Sequence, residues 1–260
     1  MSSDSVLVKA EEDFTTITMN RPERRNALSL GLLRDMTVAF RAAGDSSARG
    51  VILAASGPVF SAGHDFRDLA GADSASIREL LDACTELMVT MQSIPQPVVA
   101  RVHGLATAAG CQLVATADLA VASEDAGFAT PGGKGGWFCH TPLVAVARNV
   151  SQKRAMELGL TGDTIDARTA LDWGLVNHVV RADQLDEATV SLLRRATRGS
   201  RASKGLGKQT FYVQIGLDQR TAYDHALDVM TQSSQSPDAQ EAFAAFLEKR
   251  SPRFEERRPS

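Results

Sequence analysis

The sequence predicts an α/β fold in which a sheet is covered by helices. Two runs rich in β-branched residues, Gly50–Ala55 and Val98–Val102, are predicted to be strands, and the first has the continuous apolar character of a buried strand. Each run leads into a turn of small residues and then into a helical segment, and the alternation recurs at residues 118–122. Repeated strand–helix units of this kind indicate a sheet packed against helices.

The first half of the chain begins with a predicted hairpin. The predicted elements are strands at residues 6–10 and 14–19, a helix from Ser29 to about Gly44, and a helix at residues 76–91. Residues 11–13 form the turn of the hairpin, and Pro22 ends its second strand because proline cannot donate to a ladder. Ser29 is a suitable N-cap for the first helix.

From residue 141 onwards the predicted pattern is helical to the end. The predicted helices lie at residues 142–148, 152–158, 167–173, 185–195, 220–230 and 238–249. Composition shifts near residues 195–205, so we divide the chain into a core of residues 1–200 and a helical region of residues 201–260.

Composition and charge argue against several classes of protein. The 260 residues are 43% hydrophobic, which supports a sizeable core, and the net charge of −3 gives no reason to expect nucleic acid or an anionic membrane. The scattered Cys84, Cys111 and Cys139 do not suggest a disulfide framework. No apolar stretch approaches the roughly 20 residues that cross a bilayer, and residues 1–5 lack a signal pattern. We therefore expect a soluble cytoplasmic protein.

Two stretches that follow predicted strands are candidates for a binding site. Residues 59–65 and 104–112 are both rich in small residues, which let the backbone approach a ligand closely. Ligands in α/β folds tend to lie at the carboxyl ends of strands. N–H groups from two such turns, one of them at a helix N-terminus, could together hold one negative oxygen in an oxyanion hole.

These residues resemble the crotonase family of enoyl-CoA hydratases and isomerases. The matches lie at residues 20–28, 60–65, 103–118 and 247–250, in the order and spacing of the family, and they extend over nearly the whole chain. Within the family, residues 128–132, 136–142 and 206–212 resemble the enoyl-CoA hydratase domain-containing protein 3 type. The resemblance implies a spiral of ββα units, with residues 201–260 forming a trimerisation region that closes the CoA pocket.

The resemblance also implies which residues form the site. The N–H groups of His64 and Ala109 match the oxyanion hole that polarises a thioester carbonyl and stabilises an enolate. Matches to the loops that bind the CoA moiety are Arg24, Ala27, Leu28, Ala62 and Lys249, and CoA would be part of the substrate rather than a separate cofactor. No metal is expected. Arginine and lysine suit phosphate because they offer several donors and a lasting charge.

The two glutamates with which relatives hydrate an enoyl thioester are replaced. Gln112 and Gly132 occupy those positions of the match. Glutamine can position a water or a carbonyl but cannot exchange a proton near pH 7, and glycine can do neither. Standard hydration is therefore doubtful, although Gln112 remains a candidate site residue.

Other polar side chains near the matches have a structural and a chemical interpretation. The His64 ring could act as an acid or base, or could pack against Phe66 or the pantetheine arm. Asp65 and Asp118 are expected to brace loops, and His103 to be a packed, hydrogen-bonded histidine. Asp68 is a further candidate base. Cys139 and His140, adjacent in sequence, are expected to point apart rather than to form a dyad.

The resemblance therefore implies an acyl-CoA-processing lyase or isomerase of fatty acid metabolism, assembled as a trimer or a dimer of trimers. Three alternatives stay open. The protein could decarboxylate malonyl- or methylmalonyl-type thioesters, because loss of CO₂ generates an enolate without a base. It could bind acyl-CoA without catalysis. It could also hydrate slowly with an unrecognised base among His64, Asp65 and Asp68.

Overall fold

A computed structural model of the protein describes residues 5–11 and 13–254. The strands are β1 (Val6–Glu11), β2 (Phe14–Met19), β3 (Gly50–Ala55), β4 (Val59–Ser61), β5 (Val98–Val102), β6 (Leu105–Thr107), β7 (Leu119–Ser123), β8 (Gly127–Ala129), β9 (Ile165–Asp166) and β10 (His178–Val180). The helices are α1 (Leu30–Asp45), α2 (Ser74–Ser93), α3 (Ala109–Thr116), α4 (His140–Val146), α5 (Gln152–Thr161), α6 (Ala167–Trp173), α7 (Leu185–Ala196), α8 (Arg201–Gln214), α9 (Gln219–Ser233) and α10 (Pro237–Leu247).

The larger sheet has six strands in the order β1-β2-β3-β5-β7-β10. Only the hairpin of β1 and β2 is antiparallel in this sheet, and the remaining neighbours pair in parallel. Every residue of β3 is buried, as expected for a central parallel strand covered on both faces. Helices α1, α2 and α3 cover one face, and α7 packs against β5 and β7 on the other.

The smaller sheet has the order β4-β6-β8-β9, and its first three strands are parallel. Each of these short strands directly follows a strand of the larger sheet, and a helix comes next along the chain. The chain therefore repeats a ββα unit as β3-β4-α2, β5-β6-α3 and β7-β8-α4, which confirms the spiral expected from the resemblance. This repeat brings the carboxyl ends of β4, β6 and β8 side by side.

The strongly apolar elements agree with the prediction, whereas the weakly patterned ones differ from it. The hairpin, β3, β5 and α6 lie where the sequence places them, and α2 extends about half a turn beyond the predicted helix at each end. The expectation of helix alone after residue 141 is wrong, because β9 and β10 are strands. β10 has three residues and pairs with β7, and the Asn177 side chain secures the junction by accepting from Ala120 N–H at 2.8 Å.

Helix α8, which was not among the predicted helices, is tied to the core by a buried polar cluster. The Lys208 ammonium lies 2.8 Å from Asp118 Oδ2 and donates to the carbonyls of Met91 and Gln96, both at 2.8 Å. The Tyr212 hydroxyl donates to Asp118 Oδ1 at 2.8 Å. Gly205 lets α8 approach this closely, because a Cβ there would lie 2.6 Å from Pro95 Cβ. The division proposed at residue 200 falls just before this docked helix.

None of the helices in residues 5–11 and 13–254 is long and apolar enough to cross a membrane.

Candidate active site

The candidate site is formed where the segments that follow β4 and β6 touch. Gly63 comes just after β4, and a Cβ on it would lie 2.8 Å from Ala108 Cβ and 3.0 Å from the Thr107 carbonyl oxygen. The backbone of Gly63 also has φ +84°, a conformation that side chains rarely adopt. Glycine is therefore required here, and it brings the backbone of residue 64 next to the start of α3.

Backbone pairing orients residues 63–65 and leaves one N–H unused. Leu28 N–H donates to the Gly63 carbonyl at 2.8 Å, and Asp65 N–H donates to the Leu28 carbonyl at 3.1 Å. In such a parallel bridge the intervening N–H of His64 faces away from the partner. It finds no acceptor among the described residues.

The second N–H belongs to Ala109, the first residue of α3. Helices leave their first N–H groups without an intrahelical acceptor, and none of the described loops supplies one for Ala109. Ala109 is fully buried, and its nitrogen is 3.4 Å from where a Gly63 Cβ would stand. The structure thus brings the two predicted oxyanion donors onto adjoining segments.

Ala108, between β6 and α3, holds a strained backbone conformation. Its φ of +52° and ψ of −119° are unusual for any residue other than glycine. Its N–H donates to the Ala129 carbonyl at 2.9 Å, which fixes the turn to the end of β8. Strain of this kind is typical of functional turns, where the surrounding structure holds it in place.

Asp65 and its neighbours brace the turn, as the sequence predicts. The Asp65 carboxylate accepts from the Arg21 guanidinium at 3.4 Å and from Arg67 N–H at 3.2 Å. Asp68 accepts from Leu30 N–H at 2.8 Å and so caps the start of α1. Both carboxylates therefore already accept hydrogen bonds that brace the turn. Neither is a good candidate for a general base.

His64 is half-buried with a neutral ring, and its neighbour is Trp137. Burial lowers the pKa of His64 to about 4, because the charged imidazolium would lose its hydration. Its ring centroid lies 6.3 Å from that of Trp137, whereas Phe66 is 75% exposed. Within the described part of the chain, Nε2 is buried without a hydrogen-bond partner. The ring therefore resembles a neutral hydrogen-bonding group rather than a cation.

The two positions that replace glutamate differ in how strictly they exclude a carboxylate. Gln112 lies on α3, only 5% exposed, with Oε1 4.0 Å from Cys84 Sγ on α2. A Cβ on Gly132 would lie 2.1 Å from the Trp137 carbonyl oxygen and 2.8 Å from Cys139 Sγ. The tight turn of residues 131–139 thus leaves no room for any side chain at Gly132.

The remaining titratable candidates have structural partners. His103 Nε2 lies 2.7 Å from the Gly57 carbonyl, and burial lowers the pKa of this histidine. Cys139 Sγ accepts from Gly132 N–H at 3.3 Å, while the His140 ring lies 5.1 Å from Phe138. Burial raises the pKa of the Cys139 thiol. These partners agree with the expectation that Cys139 and His140 do not act as a dyad.

The structure gives the predicted CoA contacts different environments. Ala27 is half-buried, as is Ala62, whose N–H donates to the Arg25 carbonyl at 3.0 Å. Leu28 is fully buried with both backbone groups paired, so it holds the site loop rather than presenting a free group. Arg24 is half-buried and ends a short 3-10 helix. Lys249 is exposed beyond α10, and no described hydrogen bond joins it to the Arg24 loop.

Sequence reasoning missed two residues of the site. Trp137 and Thr130, the latter buried just after β8, were noted only as parts of family motifs. Neither belongs to a residue type that signals acid–base chemistry. The signal that could have found them is their position, since Thr130 precedes the glycine-rich turn that begins at Pro131 and Trp137 lies within that turn.

Two backbone N–H groups without acceptors among the described residues thus lie on adjoining segments at strand ends of a ββα spiral. The enoyl-CoA hydratase/isomerase family model matches residues 9–257, and the chain belongs to this family, the crotonases.

Similar proteins share both the sequence and the fold. Enoyl-CoA hydratase domain-containing protein 3 of Danio rerio is 42% identical over 253 residues, which cover 96% of this chain and 88% of that protein. The crystal structure of an enoyl-CoA hydratase from Mycobacterium smegmatis has a TM-score of 0.93 at 42% identity and covers 96% of this chain and 99% of that one. The human domain-containing protein 3 structure has a TM-score of 0.91 at 40% identity, covering 96% and 100%. The predicted likeness to this type is confirmed.

The prediction of a cytoplasmic protein is contradicted by these relatives. The domain-containing protein 3 relatives from fish, rat, mouse, human and frog are all described as mitochondrial. Composition and hydropathy describe the folded domain, whereas a compartment is set by address segments that receptors read. The pattern of the domain therefore carried no information about its compartment.

Proposed function

We propose that this protein binds acyl-CoA thioesters and stabilises a thioester enolate with the His64 and Ala109 N–H groups. The observation that carries the proposal is the contact of Gly63 with Ala108, which brings both unpaired donors to one place. The family acts on acyl-CoA thioesters, which supports the substrate class. Loss of one oxyanion donor typically costs about 10²–10³ in rate, so such a pair is a substantial catalyst by itself.

The same site disfavours hydration by a pair of carboxylates. Gly132 has no room for a side chain, and Gln112 cannot exchange a proton. Asp65 and Asp68 are engaged in bracing, as described above. The reaction is therefore one that needs enolate stabilisation but no glutamate pair.

Decarboxylation of a malonyl-type thioester is the second candidate, and the exclusion of a carboxylate at Gly132 favours it. Loss of CO₂ leaves the enolate directly, so no general base is required. A subunit that binds acyl-CoA without catalysis would use the same site. It would differ from an enzyme only in that it forms no product.

The first experiment measures turnover by mass spectrometry with crotonyl-, malonyl- and methylmalonyl-CoA. We expect little hydration of crotonyl-CoA, and fast hydration would contradict the role assigned to Gln112 and Gly132. Product from the malonyl-type thioesters would establish the decarboxylase. Tight binding with no product from any of them would favour the binding subunit.

A second experiment tests the oxyanion donors without altering the backbone. Butyryl-CoA is compared with butyl-CoA, a thioether that lacks the carbonyl oxygen. We expect the thioether to bind about tenfold more weakly, since it loses hydrogen bonds worth about 1.4 kcal/mol in total. A His64→Ala variant keeps its N–H and is the matched control, so the ratio should persist in it. Equal affinities for the two ligands would overturn the oxyanion assignment.

We also propose that the protein assembles as a trimer or a dimer of trimers through its C-terminal helices. These helices present large apolar side chains to solvent, among them Met230, Phe246 and Leu247, which are 76%, 83% and 80% exposed. Large apolar side chains left exposed in this way are typical of interaction sites. Light scattering after gel filtration should give at least three chains, and a Phe246→Glu variant should give fewer. A monomeric wild-type protein would contradict the proposal.

A further inference from the structure

One buried hydroxyl, that of Ser61 at the end of β4, connects two of the segments that form the candidate site. Ser61 is completely buried. Its Oγ donates to the Asn26 carbonyl at 2.8 Å and accepts from Gly63 N–H at 3.3 Å. The loop that precedes α1 and the turn that carries His64 are therefore joined through a single side chain.

Helix α3 packs directly against the same serine. A Cβ on Gly110, the second residue of α3, would lie 2.5 Å from the Ser61 carbonyl oxygen and 2.7 Å from Ser61 Cβ. Any side chain at Gly110 would push α3 away from β4, so glycine is needed for this contact. Gly110 directly follows Ala109, the second oxyanion donor. The backbone beside each donor is thus held against Ser61.

The loop that accepts the Ser61 hydrogen bond is itself firmly held. Asn26 is completely buried, and its side-chain amide donates to the carbonyls of Ser56 and Val59, both at 2.8 Å. The Asn26 Oδ1 atom accepts from Arg21 N–H at 2.9 Å. These three hydrogen bonds fix the loop on the connection between β3 and β4. The Asn26 carbonyl is therefore a fixed anchor for the Ser61 hydroxyl.

The Ser61 hydroxyl restrains a peptide group that has no alternative partner. The Gly63 carbonyl accepts from Leu28 N–H at 2.8 Å, whereas Gly63 N–H finds its acceptor in the described part of the chain only at Ser61 Oγ. Because glycine has no side chain, these backbone contacts alone set the orientation of the turn. The next N–H along the chain is that of His64, the first oxyanion donor.

We propose that Ser61 is a positioning residue, which fixes the His64 and Ala109 N–H groups in the arrangement that a thioester oxygen requires. The inference rests on the acyl-CoA function proposed above. Removing the hydroxyl would deprive the Asn26 carbonyl and Gly63 N–H of this buried partner, so the turn would rearrange. Hydrogen bonds weaken steeply as their angles become unfavourable, and the bound carbonyl would lose part of its stabilisation.

The test measures dissociation constants for butyryl-CoA and for the thioether butyl-CoA by calorimetry, with the intact wild-type chain and with Ser61→Ala. The tenfold preference for the thioester should fall to about twofold in Ser61→Ala. The affinity for butyl-CoA should not change, since the thioether has no carbonyl oxygen.

Each other outcome has a distinct meaning. A full preference in Ser61→Ala would overturn this inference and leave the proposed function standing. Equal weakening of both ligands would also overturn it, because Ser61 would then shape the CoA pocket rather than the oxyanion donors. A wild-type protein that binds both ligands equally would overturn the oxyanion assignment itself.

A matched serine variant separates positioning from a general loss of stability. Ser123, at the end of β7, is also completely buried, and its Oγ accepts from Asp125 N–H at 3.3 Å. It thus repeats the hydrogen bond that Ser61 accepts from the residue two positions later. Ser123→Ala should keep the full preference for the thioester. A preference lost equally in both alanine variants would overturn the assignment.

A conservative variant tests whether a weaker hydrogen-bonding group restores the effect. Ser61→Cys keeps an acceptor for Gly63 N–H, and Cys139 Sγ already accepts from Gly132 N–H at 3.3 Å in this protein. Because a thiol is a weak donor, the preference in Ser61→Cys should be about fourfold. Thermal unfolding shows whether each variant is folded. If Ser61→Ala does not fold, a full preference in Ser61→Cys would overturn the inference.

Discussion

At the scale of single residues, the turn before α3 is held against the preference of Ala108. A non-glycine residue in such a conformation costs about 1–3 kcal/mol, and glycine would remove most of that strain at some cost in chain entropy. We predict that Ala108→Gly stabilises the protein by about 1 kcal/mol, measured by urea unfolding. Ala106→Gly, a buried position on β6, is the control and should destabilise it. Loss of stability in Ala108→Gly would show that the turn is unstrained.

The neutral His64 makes stability depend on pH. Its pKa is about 4 in the folded protein, against roughly 6.5 in the unfolded chain. Between these values the unfolded state binds more protons, so the stabilising contribution is complete above about pH 6.5 and is lost as the pH falls towards 4. The total is on the order of 3 kcal/mol.

This prediction is checked by urea unfolding across that pH range. The wild-type protein is compared with His64→Phe, which cannot titrate. The free energy of unfolding of the wild type should fall more steeply with decreasing pH than that of the variant. Parallel pH profiles would mean that protonation of the imidazole costs no folding free energy. The folded protein would then not favour the neutral form of the ring.

At the scale of elements, the turn of residues 131–139 is the part of the site that departs most from a hydratase. We predict that Gln112→Glu combined with Gly132→Glu does not restore crotonyl-CoA hydration. The new side chain at residue 132 would meet the Trp137 carbonyl at 2.1 Å, so the turn would have to refold.

Kinetics and unfolding together test this prediction. Gln112→Glu alone is the control, because α3 can accept that residue without a backbone clash. The double variant should be at least 2 kcal/mol less stable than this control, in line with overpacking and a buried unpaired carboxylate. Efficient hydration by a stable double variant would show that only side-chain identity separates this chain from a hydratase.

The sequence predicts elements well where burial alone decides them. β3 is apolar throughout, β5 is apolar except for Arg101, and the bounds of both strands agree with prediction. β10 depends on pairing with β7, and α8 depends on the contact of Gly205 with Pro95, which no local pattern encodes. The placement of His64 and Ala109 at strand ends on adjoining segments could be predicted from motifs. The lack of room for a side chain at Gly132 could not be predicted, since it arises from how residues 137–139 fold back against that glycine.

At the scale of the whole molecule, the ββα repeat explains why distant segments meet in one site. Each repeat sends one strand to each sheet, so the ends of β4, β6 and β8 become neighbours although they are about twenty to forty-five residues apart. The donors at the first two ends therefore depend on the larger sheet, which fixes the register of the smaller one. Contacts that hold the strands of the larger sheet in place therefore also hold the site.

The Asp118–Lys208–Tyr212 cluster is such an anchor, because it joins α8 to the start of β7 and to the end of α2. Asp118 also accepts from Val98 N–H at 2.7 Å, at the first residue of β5. The side chains of Lys208 and Asp118 are 8% and 15% exposed, so both charges are largely removed from water. Removing one partner of a buried pair leaves the other uncompensated and typically costs about 3–5 kcal/mol.

We therefore predict that Lys208→Met destabilises the protein by about 3 kcal/mol, measured by urea unfolding near pH 7. Lys204→Met, one turn earlier at an exposed position of α8, is the matched control and should change stability by less than about 0.5 kcal/mol. Burial already raises the pKa of Asp118, which Lys208 opposes, so the variant should recover part of its loss at low pH as the carboxyl takes up a proton. A double variant, Asp118→Asn with Lys208→Met, removes both charges and should be more stable than Lys208→Met alone. Equal effects of the two lysine substitutions would mean that α8 is held by its apolar contacts, and that the C-terminal helices can detach without disturbing the site.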